Sequence, residues 1–211
     1  MHSDFVSAYS RLAPVPYVPE IRLFMADDAF SLWEQTEREL GQSEQPPPFW
    51  AFAWPGGQAL ARYLLDHPDL VAGRAVLDLG SGSGLTAIAA ALAGASAVRA
   101  SETDAFAAAA IALNANANGV QVAVNGDVLD GDGEAADVVL AADIWYEKHL
   151  AQRALGLLTR ARARGAGILI GDIGRAFLPR ARMREIAAYD VPVIAELENA
   201  DVKRVLILTL R

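Results

Sequence analysis

The 211 residues carry a formal net charge of −8 and a pI near 4.9, which argues against a nucleic-acid partner, because phosphate binding needs a basic stripe that releases counterions. Cysteine is absent and the three histidines, His2, His67 and His149, are scattered; disulfides, thiol catalysis and cysteine zinc sites are excluded and no metal is implied. Apolar side chains make up 53% of the chain, enough for one full core, and no shift in composition marks a second one, so a single domain over 1–211 is expected, with 1–57 an N-terminal extension and lid segment and 58–211 the core.

No apolar run approaches the roughly 20 residues of a bilayer span. Met1 to Arg11 shows neither a secretory apolar region nor an Arg-rich transit pattern, so a cytoplasmic protein with no membrane partner is expected. Ile21 to Met25 and Ala29 to Thr36 read either as a small hairpin around Asp27-Asp28 or as a strand followed by a short helix. Next comes the aromatic and proline run Pro46-Pro47-Pro48-Phe49-Trp50-Ala51-Phe52-Ala53-Trp54-Pro55-Gly56-Gly57. It leads into a helix predicted from Gln58 to Asp66 and closed by His67-Pro68. Such a run can wall a ligand, with Trp54 a candidate contact; Trp50 and Trp54 also fit the role of core anchors.

The strongest signal is Val76-Leu77-Asp78-Leu79-Gly80-Ser81-Gly82-Ser83-Gly84, an apolar strand that ends in Asp-x-Gly-x-Gly-x-Gly and runs into a helical pattern. Glycines there let the backbone turn sharply and let a flat ligand approach the main chain. A dinucleotide fingerprint spaces its glycines Gly-x-Gly-x-x-Gly, and Leu85 stands at that third position. The pattern therefore resembles an S-adenosylmethionine (SAM) pocket, with Asp78, Gly80, Ser81, Gly82 and Gly84 as candidate contacts; the competing reading is a tight turn. Glu102 follows the next apolar run, where a doubly wound sheet places an acid on ribose hydroxyls. Asp104 reads as the N-cap of a helix from Ala105 to Ala117. After a strand at Gln121 to Val124, Asp127 is either a turn residue or an acceptor for the adenine amino group. The acids Asp127, Asp130, Asp132, Glu134 and Asp137 form a solvated, Gly-rich loop that would also attract a cationic substrate.

A strand at Asp137 to Ala142 ends in Asp143-Ile144-Trp145-Tyr146, and carboxyl ends of parallel strands are where doubly wound folds carry chemistry. Asp143 is the main catalytic candidate. With Trp145 and Tyr146 it would align a lysine amine and surround its stem, a cation–aromatic contact helping to hold it. A further strand at Gly167 to Gly171 leads into Asp172-Ile173-Gly174-Arg175, read either as a substrate-binding loop with Asp172 and Arg175 or as a surface turn. Arg160, Arg162, Arg164, Arg175, Arg180, Arg182 and Arg184 read as solvated helix ends and loops. Strands at Val191 to Glu196 and Lys203 to Leu210, joined by Glu198-Asn199-Ala200-Asp201, are too close for a helical crossover and must pair antiparallel. Together with the strand at Ala97 to Ser101 this makes a Rossmann-like, seven-stranded, mostly parallel sheet with one reversed strand and helices on both faces, the class I methyltransferase architecture.

Val18-Pro19-Glu20-Ile21, Pro48-Phe49-Trp50-Ala51, Trp54-Pro55-Gly56-Gly57-Gln58-Ala59-Leu60, Tyr63-Leu64-Leu65-Asp66, Val76 to Gly84, Asp143 to Glu147 and Gly171-Asp172-x-Gly174-Arg175 resemble, in the same order, the electron transfer flavoprotein β subunit lysine methyltransferases, a family of SAM-dependent seven-strand enzymes. Ile173 stands where that family often has Pro, and Trp145 where Phe is common. The resemblance implies SAM as cofactor, S-adenosylhomocysteine as product and the electron transfer flavoprotein β subunit as protein substrate. It carries lysine methylation onto Asp143, Trp145 and Tyr146, with Asp143 also near the cofactor. The missing transit pattern suits a bacterial member. The implied chemistry is in-line attack by an uncharged lysine amine, with Asp143 orienting the amine rather than acting as a strong base. Two other readings stand beside it: a small-molecule, nicotinamide-like N-methyltransferase, and a non-catalytic SAM-binding protein, against which the intact acid–aromatic run argues.

Overall fold

The computed structural model describes residues 2–40, 47–131, 136–193 and 200–211; of residues 29, 30, 39 and 40 it describes only the backbone. Pro46, Asp132, Glu134, residues 194–196 of a predicted strand, and Glu198-Asn199 of the predicted turn lie outside the described residues.

Helix α1 (His2–Tyr9) precedes two antiparallel strands, β1 (Arg11–Val15) and β2 (Val18–Met25), and then α2 (Ala29–Leu40). Of the two readings of 21–36, the strand followed by a helix is found, and β2 pairs with the upstream segment instead of folding back around Asp27-Asp28. A 3₁₀ turn at Phe49–Ala51 leads to α3 (Pro55–Asp66). This helix starts three residues before the predicted Gln58, because Pro55 occupies N1, where the missing N–H is not needed and φ is already helical.

The core alternates β3 (Ala75–Leu79), α4 (Leu85–Leu92), β4 (Ala97–Ser101), α5 (Ala105–Ala117), β5 (Ala123–Asn125), β6 (Val138–Ala142), α6 (Lys148–Ala163) and β7 (Gly167–Asp172). The hairpin β8 (Met183–Pro192) and β9 (Val202–Leu210) completes a seven-stranded sheet of order β5-β4-β3-β6-β7-β9-β8. Neighbours from β5 to β7 are parallel, and β9 is antiparallel to both β7 and β8. Successive residues of β3 and β6 face opposite sides of the sheet, and both sides are apolar. Val76, Val138 and Leu140 pack with Leu60 and Leu64 of α3 and Ile88 of α4. Leu77, Leu79 and Val139 pack with Leu157 and Leu158 of α6. Each such buried side chain contributes roughly 1.5–3 kcal/mol. A third cluster joins Phe5 and Val6 of α1, Leu32 of α2, Trp50 and Phe52 to Phe106 of α5, seating the N-terminal segment on the core.

The largest shift among the described elements is in the last hairpin. β8 begins at Met183, eight residues before the predicted Val191, so Arg184 lies on a strand rather than in a loop. As the edge of the sheet, β8 pairs with one neighbour only, and its outer positions stay polar (Arg184, Glu185, Asp190), which hides it from a search for apolar runs. The hairpin is closed by the Val193 N–H donating to the Asp201 carbonyl at 3.0 Å.

The strand order reverses between β3 and β6, and in doubly wound sheets ligands bind beyond the carboxyl ends of the strands at such a switch point. Among the described residues no helix is long and apolar enough to cross a membrane, and no group of three or more His, Asp or Glu is placed to hold a metal.

Candidate active site

Between the last residue of β3 and the first of α4 the chain visits the left-handed region at every second position: Gly80 (φ 58°), Gly82 (φ 54°) and Gly84 (φ 84°). An L side chain there costs about 1–2 kcal/mol in strain alone. The three positions differ in their surroundings. A Cβ at Gly80 would lie 2.9 Å from Ile144 Cγ2, one at Gly84 would lie 3.3 Å from Ile111 of α5, and one at Gly82 would meet nothing within 4 Å. Gly84 is therefore the packing glycine, which lets the cap of α4 approach Ile111 of α5, and Gly82 faces open space.

Asp78 anchors this loop from behind. Its Oδ2 accepts from the hydroxyls of Ser81 and Thr86, tying both ends of the loop together. Burial pushes its carboxyl up to about 6 against those two hydrogen bonds. It does not line the cavity described below. Glu102 does, and its carboxylate accepts from the N–H groups of Gly82 (2.9 Å), Thr103 (2.7 Å) and Asp104 (3.1 Å). Asp104 caps α5 through Phe106 N at 2.8 Å, as its spacing predicts, and also reaches the cavity wall. Asp127 is turned elsewhere: it accepts from Leu129 N at 2.9 Å and pairs with Arg153 at 2.8 Å, both of which hold its carboxyl below the usual range. The structure thus places it in the turn role, off the cavity wall.

The opposite wall is assembled from three distant segments. A Cβ at Gly56 would lie 2.3 Å from the Gly171 carbonyl, and one at Gly171 would lie 2.2 Å from the Gly56 carbonyl, so the start of α3 and the end of β7 meet backbone to backbone. Asp143 sits beside this contact in the left-handed region (φ 56°), the only non-glycine there among the described residues. Its N–H donates to the Gly171 carbonyl at 3.0 Å. Oδ2 accepts from Gly57 N at 3.0 Å, at the positive end of α3, and Oδ1 accepts from Arg175 Nε (3.2 Å) and Nη2 (3.0 Å). Burial pushes the Asp143 carboxyl up to about 7, opposed by the Arg175 guanidinium and Gly57 N–H and assisted by nearby Asp172.

The Gly-Asp-x-Gly-Arg string now has a reason at each position. Gly171 makes room for α3. Asp172 Oδ1 accepts from the N–H groups of Gly174 (2.6 Å) and Arg175 (2.7 Å) and so shapes the turn. Gly174 takes φ 91°, where a Cβ would run into Arg180 Nη2 at 2.1 Å. Arg175 then reaches Asp143 and lies over the Trp54 ring at 5.6 Å. Asp172 is fully buried, which raises its carboxyl. Trp54 is fixed by its Nε1 donating to the Phe49 carbonyl at 2.8 Å, and Phe49 contacts Tyr146 at 5.4 Å between ring centroids.

Trp145 departs from the predicted site. It is fully buried among Leu157, Leu158 and Ile170 under α6 and does not line the cavity. Two residues on from Asp143 the chain has turned, so its neighbour Tyr146 faces the cavity and is 49% exposed.

Both walls enclose one cavity of about 450 Å³, within the usual range for a small-molecule site. Gly80, Ser81, Gly82, Glu102 and Asp104 form one side, Trp54, Gly57, Asp143, Tyr146 and Arg175 the other, and Phe49, Trp50 and Phe52 cover it. Trp50 serves both readings made of it, since it is also buried in the cluster that seats the N-terminal segment. Ser83, Leu85, Thr86, Thr103, Ala107, Ala142, Ile144 and Leu150 complete the lining, and none of them was a candidate contact in the sequence. The Gly57 N–H had no signal beyond its place in a helix entrance.

Residues 59–156 match the family model described as ribosomal protein L11 methyltransferase. The chain is 37% identical over 188 residues to the electron transfer flavoprotein beta subunit lysine methyltransferase of Rattus norvegicus, covering 86% of this chain and 72% of the relative. It is 40% identical over 161 residues to the protein of the same name from Danio rerio, covering 73% of this chain and 62% of the relative. Its fold is similar to that of magnesium protoporphyrin IX methyltransferase from Synechocystis with bound S-adenosylhomocysteine, with a TM-score of 0.53 at 16% identity over 74% of this chain and 82% of that one.

Proposed function

We propose that this chain, which belongs to the electron transfer flavoprotein β subunit lysine methyltransferase family, uses SAM to methylate lysine of the electron transfer flavoprotein β subunit. The observation that carries the reading is a single cavity holding a glycine loop with its acid, Glu102, on one wall and Asp143 between Trp54 and Tyr146 on the other. The residues present fit SAM. Gly82 has no side chain facing the open space, and Glu102 offers carboxylate oxygens suited to ribose hydroxyls. Gly80, Ser81, Gly82, Glu102 and Asp104 would hold the cofactor. Bound SAM supplies an electrophilic methyl group on a positively charged sulfur.

The chain's own residues would position the amine. Asp143 would accept a hydrogen bond from it and aim its lone pair, while Trp54 and Tyr146 flank the lysine stem and exclude water. Trp145 supports this wall from the core. The net charge of −8 supports a protein partner rather than nucleic acid.

The test is to incubate the chain with methyl-labelled SAM and either the isolated electron transfer flavoprotein β subunit or nicotinamide. Label on a lysine of the subunit is expected. Label in nicotinamide alone would replace the reading with a small-molecule enzyme, and SAM binding with no labelled product would leave a binding protein.

A further inference from the structure

We infer that Arg175 is a positioning residue that sets the charge of the amine site: fixed between Asp143 and Trp54, its guanidinium makes the acid an acceptor for an uncharged amine rather than a trap for an ammonium ion. The inference rests on the lysine methyltransferase reading above. A lysine nitrogen attacks only through its lone pair, which the ammonium form, with a pKa near 10.4, lacks. A lone buried carboxylate beside it would favour the ammonium and hold the substrate in its unreactive form. The structure contains the remedy.

Arg175 places both Nε (3.2 Å) and Nη2 (3.0 Å) on Asp143 Oδ1. A guanidinium does not lose its proton at any pH the protein survives, so the acid stays paired. Its position is fixed from three sides: the carboxylate, the Trp54 face at 5.6 Å, and its own N–H on Asp172 Oδ1 at 2.7 Å. The side chain is 17% exposed, so its field is poorly screened. The cation cancels the acid and disfavours a second positive charge nearby, while Asp143 keeps lone pairs with which to orient a neutral amine.

Other groups bear on the same spot. Asp172, with Arg180 acting on it, stands on the β7 side; Tyr146 and Glu147 follow β6; Glu102 acts across the cavity on Tyr146. From α3 and the segment before it come Gly57 and Trp54, neither of which titrates. Arg175 is the cation in direct contact with Asp143, so its removal shifts the balance toward binding the ammonium and toward protonating Asp143.

The experiment is a pH profile of kcat/KM for methylation of the isolated electron transfer flavoprotein β subunit by the parent, Arg175→Gln, Arg175→Met and Arg175→Lys. Arg175→Met keeps an unbranched stem against Trp54 and serves if Arg175→Gln folds poorly. In both charge-removing variants the rising limb should move to higher pH by about one unit or more. The corresponding loss is roughly tenfold near neutrality, largely recovered at the alkaline end, and Arg175→Lys should bring the limb back toward the parental position. A uniform loss at every pH with the limb unmoved would overturn the inference and leave Arg175 a structural prop. A parent enzyme that labels no lysine of the subunit fails the functional reading, and the inference with it; a labelling parent whose variants show no shift fails the inference alone.

Discussion

The two walls of the cavity are held in opposite ways. The glycine-loop wall is held by its own backbone: three alternating left-handed glycines, Asp78 tying Ser81 to Thr86, and Glu102 returning to the Gly82 N–H all act between β3 and the residues just after β4. The amine wall is held by contacts between segments that are far apart in sequence, with Gly56 against Gly171, Gly57 on Asp143, and Arg175 spanning Asp143 and Trp54. Damage to the first wall should therefore appear mainly in cofactor affinity. Damage to the second should appear in turnover and, where backbones touch, in stability.

The largest effect is expected at Asp143. Asp143→Asn keeps an acceptor in place but removes the charge paired with Arg175, and turnover on the β subunit should fall by roughly 2–4 kcal/mol in barrier terms, the scale of other positioned polar groups. SAM affinity, measured by calorimetry on the same variant, should hardly change. Near-parental turnover would remove Asp143 from the chemistry, and equal losses of affinity and turnover would move it to the cofactor wall.

A second effect probes how the glycine loop is anchored. Because burial raises the Asp78 carboxyl to about 6 in the folded chain from 3.8 when unfolded, the folded state binds more protons between those values. Stability should therefore fall as pH rises through that window and stay low above it, with Asp143 contributing in the same direction up to about 7. Asp78→Asn should shrink the decline by about 2 kcal/mol, read from denaturant midpoints at about pH 4.5 and 7.5. An unchanged decline would show that Asp78 is not the group responsible.

Glycine substitutions compare the walls directly. Gly171→Ala drives a Cβ to 2.2 Å from the Gly56 carbonyl and should cost about 1–3 kcal/mol of stability, with turnover falling as α3 is pushed away. Gly82→Ala meets no atom and should cost only the strain of its φ, about 1 kcal/mol, while weakening SAM. Matching stability losses in the two variants would show that the two walls are held in the same way. The smallest effects separate two acids. Glu102→Ala should weaken SAM by about 1–2 kcal/mol with little change in stability, whereas Asp127→Ala should leave SAM affinity unaltered and cost under about 1 kcal/mol, as expected for its exposed pair with Arg153. Weaker SAM binding in Asp127→Ala would restore the adenine role.

What the sequence determined by itself is what local rules govern. The glycine loop is written in residues that alone tolerate left-handed backbone, α5 in an alanine run with Asp104 at its cap, and the reversal of β9 in a connection too short for a crossover. Glu102 follows from the same logic, since its distance from Asp78 is one strand–helix–strand unit. Tertiary structure decided where side chains point and which distant segments touch. Trp145 and Tyr146 are adjacent aromatics, yet one fills the core beneath α6 and the other faces the cavity, because the left-handed turn at Asp143 redirects the chain. Asp127 was drawn away by Arg153, a partner 26 positions on, and β8 was hidden because an edge strand buries too little to need an apolar pattern. The strings Trp-Pro-Gly-Gly-Gln and Gly-Asp-x-Gly-Arg were each visible, but that their glycines exist to meet one another was not: backbone conformation is settled within a few residues, whereas a contact between chain segments exists only once packing has brought them together.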